Sequence, residues 1–244
     1  MRLTDLINYS GGFSVGYPEF EFALISRESR ELGDIQVEFI DLQEEMFRTQ
    51  QDFYYVLRDA SKLGLTKQDM IRWKIGYCTT GKYASRIVFP SFDKDGDLNY
   101  FVTRAYDNSW KKYLNPRAQR DIVFNHLYLD FSKSIPIVEG VFDAVVAGDN
   151  AVPLLGSTLT ERSNLFHEIV KNDTPVYLAL DPDAKKKTDK IIKLLLKYDV
   201  EVYSVDVAPH KDVGEMTKKQ FCQRKHSAEV LNLDNYLLSR IKRI

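Results

Sequence analysis

Five carboxylate side chains in the second half of the chain follow short apolar runs, at spacings that could bring them together. They are Glu139, Asp143, Asp181, Asp183 and Asp212. Because like charges a few ångströms apart raise one another's pKa and destabilise a fold, such a cluster needs cations to neutralise it. Mg²⁺ binds one or two carboxylates together with waters and phosphate oxygens. The pattern therefore indicates phosphoryl or nucleotidyl transfer assisted by a hard divalent cation.

The local spacing supports a shared site more than any single carboxylate does. Asp181 and Asp183 flank Pro182, which stiffens the loop between them. Asp143 lies four residues after Glu139, about one helical turn away on the same face. Each residue alone has a simpler interpretation, since Asp183 could cap a helix and Asp143 could be a solvated helix residue. The two spaced pairs together are less easily explained by chance.

These carboxylates would be positioned by an alternation of strands and helices. Four short apolar or β-branched runs predict strands at 135–138, 151–155, 176–180 and 200–205. Segments of helical period lie between them at 142–148, 161–171 and 184–198. This series predicts an α/β fold with a mainly parallel sheet flanked by helices. In such sheets ligands bind beyond the carboxyl ends of the strands, where the carboxylates fall.

A smaller α+β subdomain is predicted ahead of this sheet. Apolar residues at helical spacing predict a helix over 50–63, ended by Gly64, and Thr66 is placed to cap a second short helix. Alternating runs over 86–90 and 98–103 predict an antiparallel hairpin, because an Asp-Gly turn joins them. The predicted domains are an amino-terminal segment of unknown role (1–49), the α+β subdomain (50–129), the parallel-sheet domain (130–216) and a tail (217–244) with an amphipathic helix over 228–241.

Composition places the chain among ordinary globular proteins. Its 244 residues are 44% apolar and 12% aromatic, enough to bury a sizeable core and to exclude disorder as the main state. A net charge of −1 argues against nonspecific coating of nucleic acid. Two distant cysteines, Cys78 and Cys222, cannot build a disulfide framework or a zinc ribbon. No apolar run is long enough for a membrane span, so we expect a cytoplasmic protein with no membrane partner.

The ordered motifs resemble those of a known family. Four of them are similar to the successive signatures of the Toprim fold, which primases, topoisomerases and some nucleases share: Glu139-Gly140-Val141-Phe142-Asp143, Gly156-Ser157-Thr158-Leu159-Thr160, Asp181-Pro182-Asp183 and Lys211-Asp212. Upstream segments are similar, in the same order, to the catalytic core of bacterial and phage DNA primases: 64–77, 86–90, 100–104 and 112–115. The resemblance covers roughly residues 50–220 and implies a Toprim-like sheet preceded by the smaller subdomain.

The resemblance implies DNA-templated synthesis of short RNA primers from ribonucleoside triphosphates. It implies that Glu139, Asp181 and Asp183 are catalytic and hold Mg²⁺ or Mn²⁺ against the triphosphate. Asp143 and Asp212 would support them or bind a second ion. Glu139 is also a candidate base for the primer 3′-hydroxyl.

The resemblance also implies which cations bind phosphate. Arg86, Arg104 and Lys112 would lie on the amino-terminal subdomain, facing the metal cleft, with Lys211 beside Asp212. The alternative for Arg86, Lys112 and, more readily, Arg104 is that they are simple surface cations. The implied partners are a single-stranded DNA template, nucleoside triphosphates, a replicative helicase and a separate zinc-binding or template-reading subunit.

Three departures from the family pattern bear on these roles. Gly214 stands where a second aspartate usually follows Asp212, which puts a full second metal site in doubt unless Glu215 replaces it. Lys186 and Lys187 follow the Asp-x-Asp motif and could meet phosphate, although a solvated basic face is the commoner role. The zinc-binding and helicase-binding modules have no place in the sequence, which predicts a minimal, phage-type core acting in the cytoplasm of a bacterial host.

Two other functions stay open on the sequence. A Toprim nuclease or topoisomerase subunit would use similar carboxylates without the primase-like segment upstream. A catalytically impaired replication accessory protein, which binds single-stranded DNA or a helicase, is favoured by the glycine at position 214.

Overall fold

The structure, a computed structural model, describes residues 60–61, 63–78, 81–107, 109–117, 121–232 and 236. It divides into two compact units, Met1–Gln119 and Arg120–Ile244. Val123, which precedes the predicted boundary after residue 129, packs in the core of the second unit. The predicted segment 1–49 lies outside the described residues, as does the predicted helix over 50–63 up to residue 59.

The first unit begins, in its described part, with helix α1 (Lys67–Arg72). Thr66 caps the helix as predicted: its hydroxyl accepts a hydrogen bond from the Asp69 N–H, and the Asp69 carboxylate accepts one from the Thr66 N–H at 2.9 Å. This reciprocal pair satisfies two donors that have no partner within the helix itself. Gly64 has φ +80°, a left-handed conformation that glycine adopts without strain, and it separates α1 from the preceding chain.

A three-stranded antiparallel sheet follows, in the order β1 (Gly76–Cys78), β2 (Arg86–Phe92) and β3 (Leu98–Ala105). It contains the predicted hairpin, with both strands two residues longer than expected. Asp93 closes the turn, since its Oδ1 accepts hydrogen bonds from the N–H groups of Asp95 and Asp97. The sheet packs around buried aromatic residues, among them Tyr83 edge-on against Phe101 with ring centroids 5.3 Å apart.

The second unit contains a five-stranded sheet in the order β5-β4-β6-β7-β8. The strands are β4 (Ile135–Val138), β5 (Val152–Pro153), β6 (Val176–Leu178), β7 (Val202–Ser204) and β8 (Glu229–Leu231). The first four pair in parallel, which confirms the predicted mainly parallel sheet. The helices are α2 (Val141–Ala147), α3 (Asn164–Lys171), α4 (Lys185–Lys197) and α5 (Lys218–His226).

The segment 217–244 contributes a strand as well as a helix. The helix predicted over 228–241 is wrong at its start, because Glu229–Leu231 forms β8 antiparallel to β7. Pairing with β8 gives backbone partners to the side of β7 that faces away from β6. That gain outweighs a weak helical pattern. Residues 233–235 and 237–241 of the predicted helix lie outside the described residues.

The core of the second unit lies between the sheet and its helices. Ile135 and Ile137 of β4, together with Val176 of β6, are fully buried. Ile169 of α3 and Leu195 of α4 pack in the same cluster, also fully buried. Side chains from neighbouring parallel strands thus anchor the strand ends from which the carboxylates project. None of the described helices combines the length and apolar character needed to cross a membrane.

Candidate active site

Glu139 follows β4 directly and leads into α2. Its side chain is 19% exposed, and its Oε2 accepts a hydrogen bond from Lys187 Nζ at 2.6 Å, which is also a salt bridge. Its Oε1 is buried and accepts no hydrogen bond from the residues that the structure describes. Glu139 therefore has one oxygen paired with a cation and one oxygen that a further ligand could satisfy.

Asp143 lies in the first turn of α2 and is only 7% exposed. Its two oxygens accept hydrogen bonds from the N–H groups of Gly140 and Gly214, each at 2.8 Å. Burial raises the pKa of Asp143 to about 6 despite these bonds, and the charges of Asp212 and Glu139 also raise it. Asp143 is therefore not the solvated helix residue of the simpler interpretation. It ties the 212–215 loop to the start of α2.

Asp181 and Asp183 lie between β6 and α4. Burial is the main cause that raises the pKa of Asp181 to about 6, and four other carboxylates contribute. These four are Asp143, Glu139, Asp212 and Asp183. The other four predicted carboxylates thus all contribute to the raised pKa of Asp181. Asp183 is exposed and does not cap α4, whose N-cap is Ala184 with no side-chain cap hydrogen bond.

Gly214 takes a defined part in this cluster. A Cβ atom at position 214 would lie 3.1 Å from Asp143 Oδ1 and 3.2 Å from Asp212 Oδ1. The position therefore lies between two carboxylates, and glycine lets the backbone N–H reach Asp143. Asp212 caps the turn that follows it by accepting the Glu215 N–H at 2.8 Å. Glu215 accepts the Lys211 N–H and so closes its own loop, which gives no support to Glu215 as a substitute ligand.

Lys187 is the site residue that the sequence did not single out. It is the third residue of α4, its side chain is 21% exposed, and it pairs with Glu139 across 48 positions of sequence. Its neighbours Lys185 and Lys186 are exposed, as a solvated basic face requires. In the sequence, nothing distinguishes Lys187 from the two lysines before it. The direction in which each side chain leaves α4 decides that Lys187 faces Glu139.

The donor set has the chemistry of a hard-cation site, since all five candidates offer carboxylate oxygens. The buried Oε1 of Glu139 is a polar atom of the kind that a cation ligand would satisfy. As the side chains are placed, no three His, Cys, Asp or Glu residues of the described ranges converge closely enough to hold a metal ion. The Lys187 ammonium contacts Glu139 instead. Binding of a dication by both Glu139 oxygens thus requires Lys187 to move away.

Arg86 is not placed as a phosphate ligand, contrary to the prediction. It is 5% exposed, and its guanidinium donates hydrogen bonds to the carbonyl oxygens of Lys111 at 2.7 Å and Lys112 at 3.1 Å. A buried guanidinium needs such acceptors. These hydrogen bonds fix the backbone of the loop that follows β3. Arg86 therefore has a structural part in the first unit.

The other predicted phosphate ligands are more accessible. The Arg104 guanidinium lies 4.8 Å from the centroid of the Tyr113 ring, a cation–π contact. The side chains of Lys112 and Lys211 are exposed. Arg104 and Lys112 belong to the first unit and the carboxylates to the second. The predicted orientation of these two cations toward the carboxylates stays a prediction.

Comparison with known proteins points to one class of enzyme. No family model matches the chain. A DNA primase of Thermotoga maritima is 27% identical over 178 residues, which cover 66% of this chain and 32% of that protein. The chain therefore spans about a third of the length of this curated relative.

Three solved structures of DNA primases share the fold of this chain. The DnaG primase catalytic domain bound to ssDNA superposes with a TM-score of 0.62 at 18% identity, covering 75% of this chain and 74% of that one. The primase of Aquifex aeolicus, with its zinc-binding and RNA polymerase domains, gives 0.60 at 20% identity, covering 78% and 58%. The E. coli primase catalytic core gives 0.58 at 16% identity, covering 82% and 79%. The chain thus has the fold of primase catalytic cores, which confirms the predicted resemblance.

The Lys187–Glu139 pair allows a test of the site's electrostatics. Lys187→Met removes the ammonium and leaves Glu139 unpaired beside Asp143 and Asp181. We expect the free energy of unfolding in EDTA to fall by about 1 to 3 kcal/mol, since a mostly buried carboxylate loses its partner. Chemical denaturation in EDTA measures this loss. The matched control is Lys186→Met, an exposed neighbour, and an equal loss in both variants would contradict the assignment.

The raised pKa values predict a pH dependence in the absence of divalent cations. Asp143 and Asp181 have a pKa of about 6 in the folded protein, so below that pH the folded state binds protons that the unfolded state does not. Stability should therefore increase as the pH falls from about 7 to about 4.5. Thermal unfolding in EDTA across this range measures it. Asp181→Asn should flatten the profile, and an unaltered slope in that variant would refute the contribution of Asp181.

Proposed function

We propose that this chain, which has the fold of primase catalytic cores, joins ribonucleoside triphosphates into short RNA primers on a single-stranded DNA template. The observation that carries the proposal is the group of carboxylates around Asp181 in the parallel-sheet unit of that fold, where Asp143 is buried and bonded to the Gly140 and Gly214 N–H groups and four other carboxylates contribute to the raised pKa of Asp181. The primase of Thermotoga maritima, which shares 27% identity, supports the same reaction.

The carboxylates have distinct parts in this proposal. Glu139, Asp181 and Asp183 would hold Mg²⁺ or Mn²⁺, and such an ion neutralises the charge of the triphosphate during nucleotidyl transfer. Glu139 is the residue that we assign to accept the proton of the primer 3′-hydroxyl, because its Oε1 accepts no hydrogen bond within the described residues. Asp143 is a positioning residue, since both of its oxygens are engaged by backbone N–H groups.

Asp212 is assigned to act beside these residues. It influences the pKa values of Asp143 and Asp181, and its Oδ1 accepts the Glu215 N–H. Its neighbour Lys211 offers an exposed ammonium that we assign to the triphosphate of the incoming nucleotide. The N–H of Gly214 supplies a hydrogen bond at the place where the family pattern has a carboxylate, which reduces the negative charge on hand for a second cation.

Template binding is assigned to the first unit. Arg104 and Lys112 remain the proposed phosphate ligands, while Arg86 holds the loop that presents Lys112. The DnaG primase catalytic domain that shares this fold was solved with single-stranded DNA, which supports a template strand as ligand here. The predicted helicase, zinc-binding subunit, phage origin and host cytoplasm stay predictions.

Primer synthesis can be tested directly. The protein is incubated with single-stranded template, labelled nucleoside triphosphates and Mg²⁺ or Mn²⁺, and labelled oligomers are resolved on a gel. We expect RNA oligomers from the wild type and a loss of about 100-fold or more in Glu139→Gln, since that change removes charge from the proposed cation site. Glu161→Gln is the matched control, because Glu161 is exposed and pairs with Lys197.

The other possible products discriminate between functions. Cleaved DNA that depends on Glu139 would replace the proposal with a nuclease. Template binding without RNA or cleaved DNA would favour the accessory role, for which the glycine at position 214 is the motivating observation.

A further inference from the structure

Trp110 stands out on the surface of the first unit. Its side chain is 91% exposed, whereas the chain's other tryptophan, Trp73, is 4% exposed. An indole is a large apolar group that folded proteins usually bury at least in part. Tryptophan is also enriched among the residues that contribute most to binding energy at interfaces.

The backbone that carries Trp110 is anchored immediately after it. Buried Arg86 donates hydrogen bonds to the carbonyl oxygens of Lys111 and Lys112, and the Ala105 N–H donates to the Lys112 carbonyl at 2.9 Å. Further along, the Thr103 N–H donates to the Asn115 side chain at 3.1 Å. The loop is therefore held in place before any ligand arrives, which lowers the entropy lost on binding.

Cations follow Trp110 along the chain, whereas the one carboxylate before it in this loop, Asp107, accepts a hydrogen bond from the Ser109 N–H at 3.0 Å. Segment 109–117 contains three exposed cations, Lys111, Lys112 and Arg117, and no carboxylate. Within it Tyr113 is 43% exposed and lies under the Arg104 guanidinium. Aromatic faces interleaved with cations match a strand that offers bases and phosphates in alternation. A membrane surface would need more than one exposed apolar side chain here.

We propose that Trp110 is a base-stacking residue for single-stranded nucleic acid, with Lys111 and Lys112 on the flanking phosphates. The strand that stacks on Trp110 is the single-stranded DNA template, and that identification rests on the proposed function. Stacking tolerates any base because every base has a π-face, so binding here is independent of sequence. Arg86 acts only by positioning the loop.

Intrinsic fluorescence reports on the proposed contact. Titration with an oligo(dT) of about a dozen nucleotides, within the usual site sizes of single-strand binding, should quench the emission of exposed Trp110. Emission of buried Trp73 should persist, so quenching should stop at a plateau. In Trp110→Leu the quenching should disappear, which assigns the signal to position 110.

Affinity is measured separately with a labelled oligo(dT) by fluorescence anisotropy. Trp110→Leu should weaken binding about 10-fold and Trp110→Phe much less, because phenylalanine keeps a ring that stacks. Trp110→Leu should leave the salt dependence unchanged, whereas Lys112→Gln should reduce its slope by about 0.7. This contrast separates stacking from charge and from a general loss of structure, which circular dichroism checks.

The outcomes distinguish this inference from the proposed function. Oligonucleotide binding with no quenching, and with equal affinity in Trp110→Leu, would overturn the inference and leave primer synthesis standing. Quenching and weakened binding in a protein that makes no primers would support the inference alone. No binding by the wild type would overturn both. A dimer that forms without DNA and is lost in Trp110→Leu would assign Trp110 to self-association and overturn the inference.

Discussion

The second unit must offset the electrostatic repulsion among the carboxylates that follow β4 and β6. Two features of the fold oppose it. Backbone N–H groups donate to both oxygens of Asp143, and the Lys187 ammonium pairs with Glu139. Each places positive charge, or a positive dipole end, beside a carboxylate. What remains of the repulsion, together with burial, raises the pKa of Asp181.

This arrangement explains why the loop between β7 and α5 departs from the family pattern. At position 214 a side chain would meet the carboxylates of Asp143 and Asp212. The Gly214 N–H donates to Asp143, and an aspartate at this position would add its own negative charge to the repulsion. Glycine therefore adds no further carboxylate to the cluster.

In the first unit, a buried charge determines the shape of an exposed surface. Arg86 is removed from solvent, and its donors can be satisfied only by acceptors close at hand, here two consecutive carbonyls. The chain segment that supplies them carries Trp110, Lys111 and Lys112 on its outer side. A single arginine thus links the core of the small sheet to the surface assigned to the template.

Local order was readable from the sequence alone: the hairpin of β2 and β3, the four parallel strands and the Thr66 cap follow from period and turn chemistry. The inward turn of Lys187, the burial of Arg86 and the pairing of β8 with β7 were not. These depend on partners distant in sequence. Lysines, arginines and short apolar runs look alike along a chain, and only tertiary contact decides which charge is buried and which edge needs a strand.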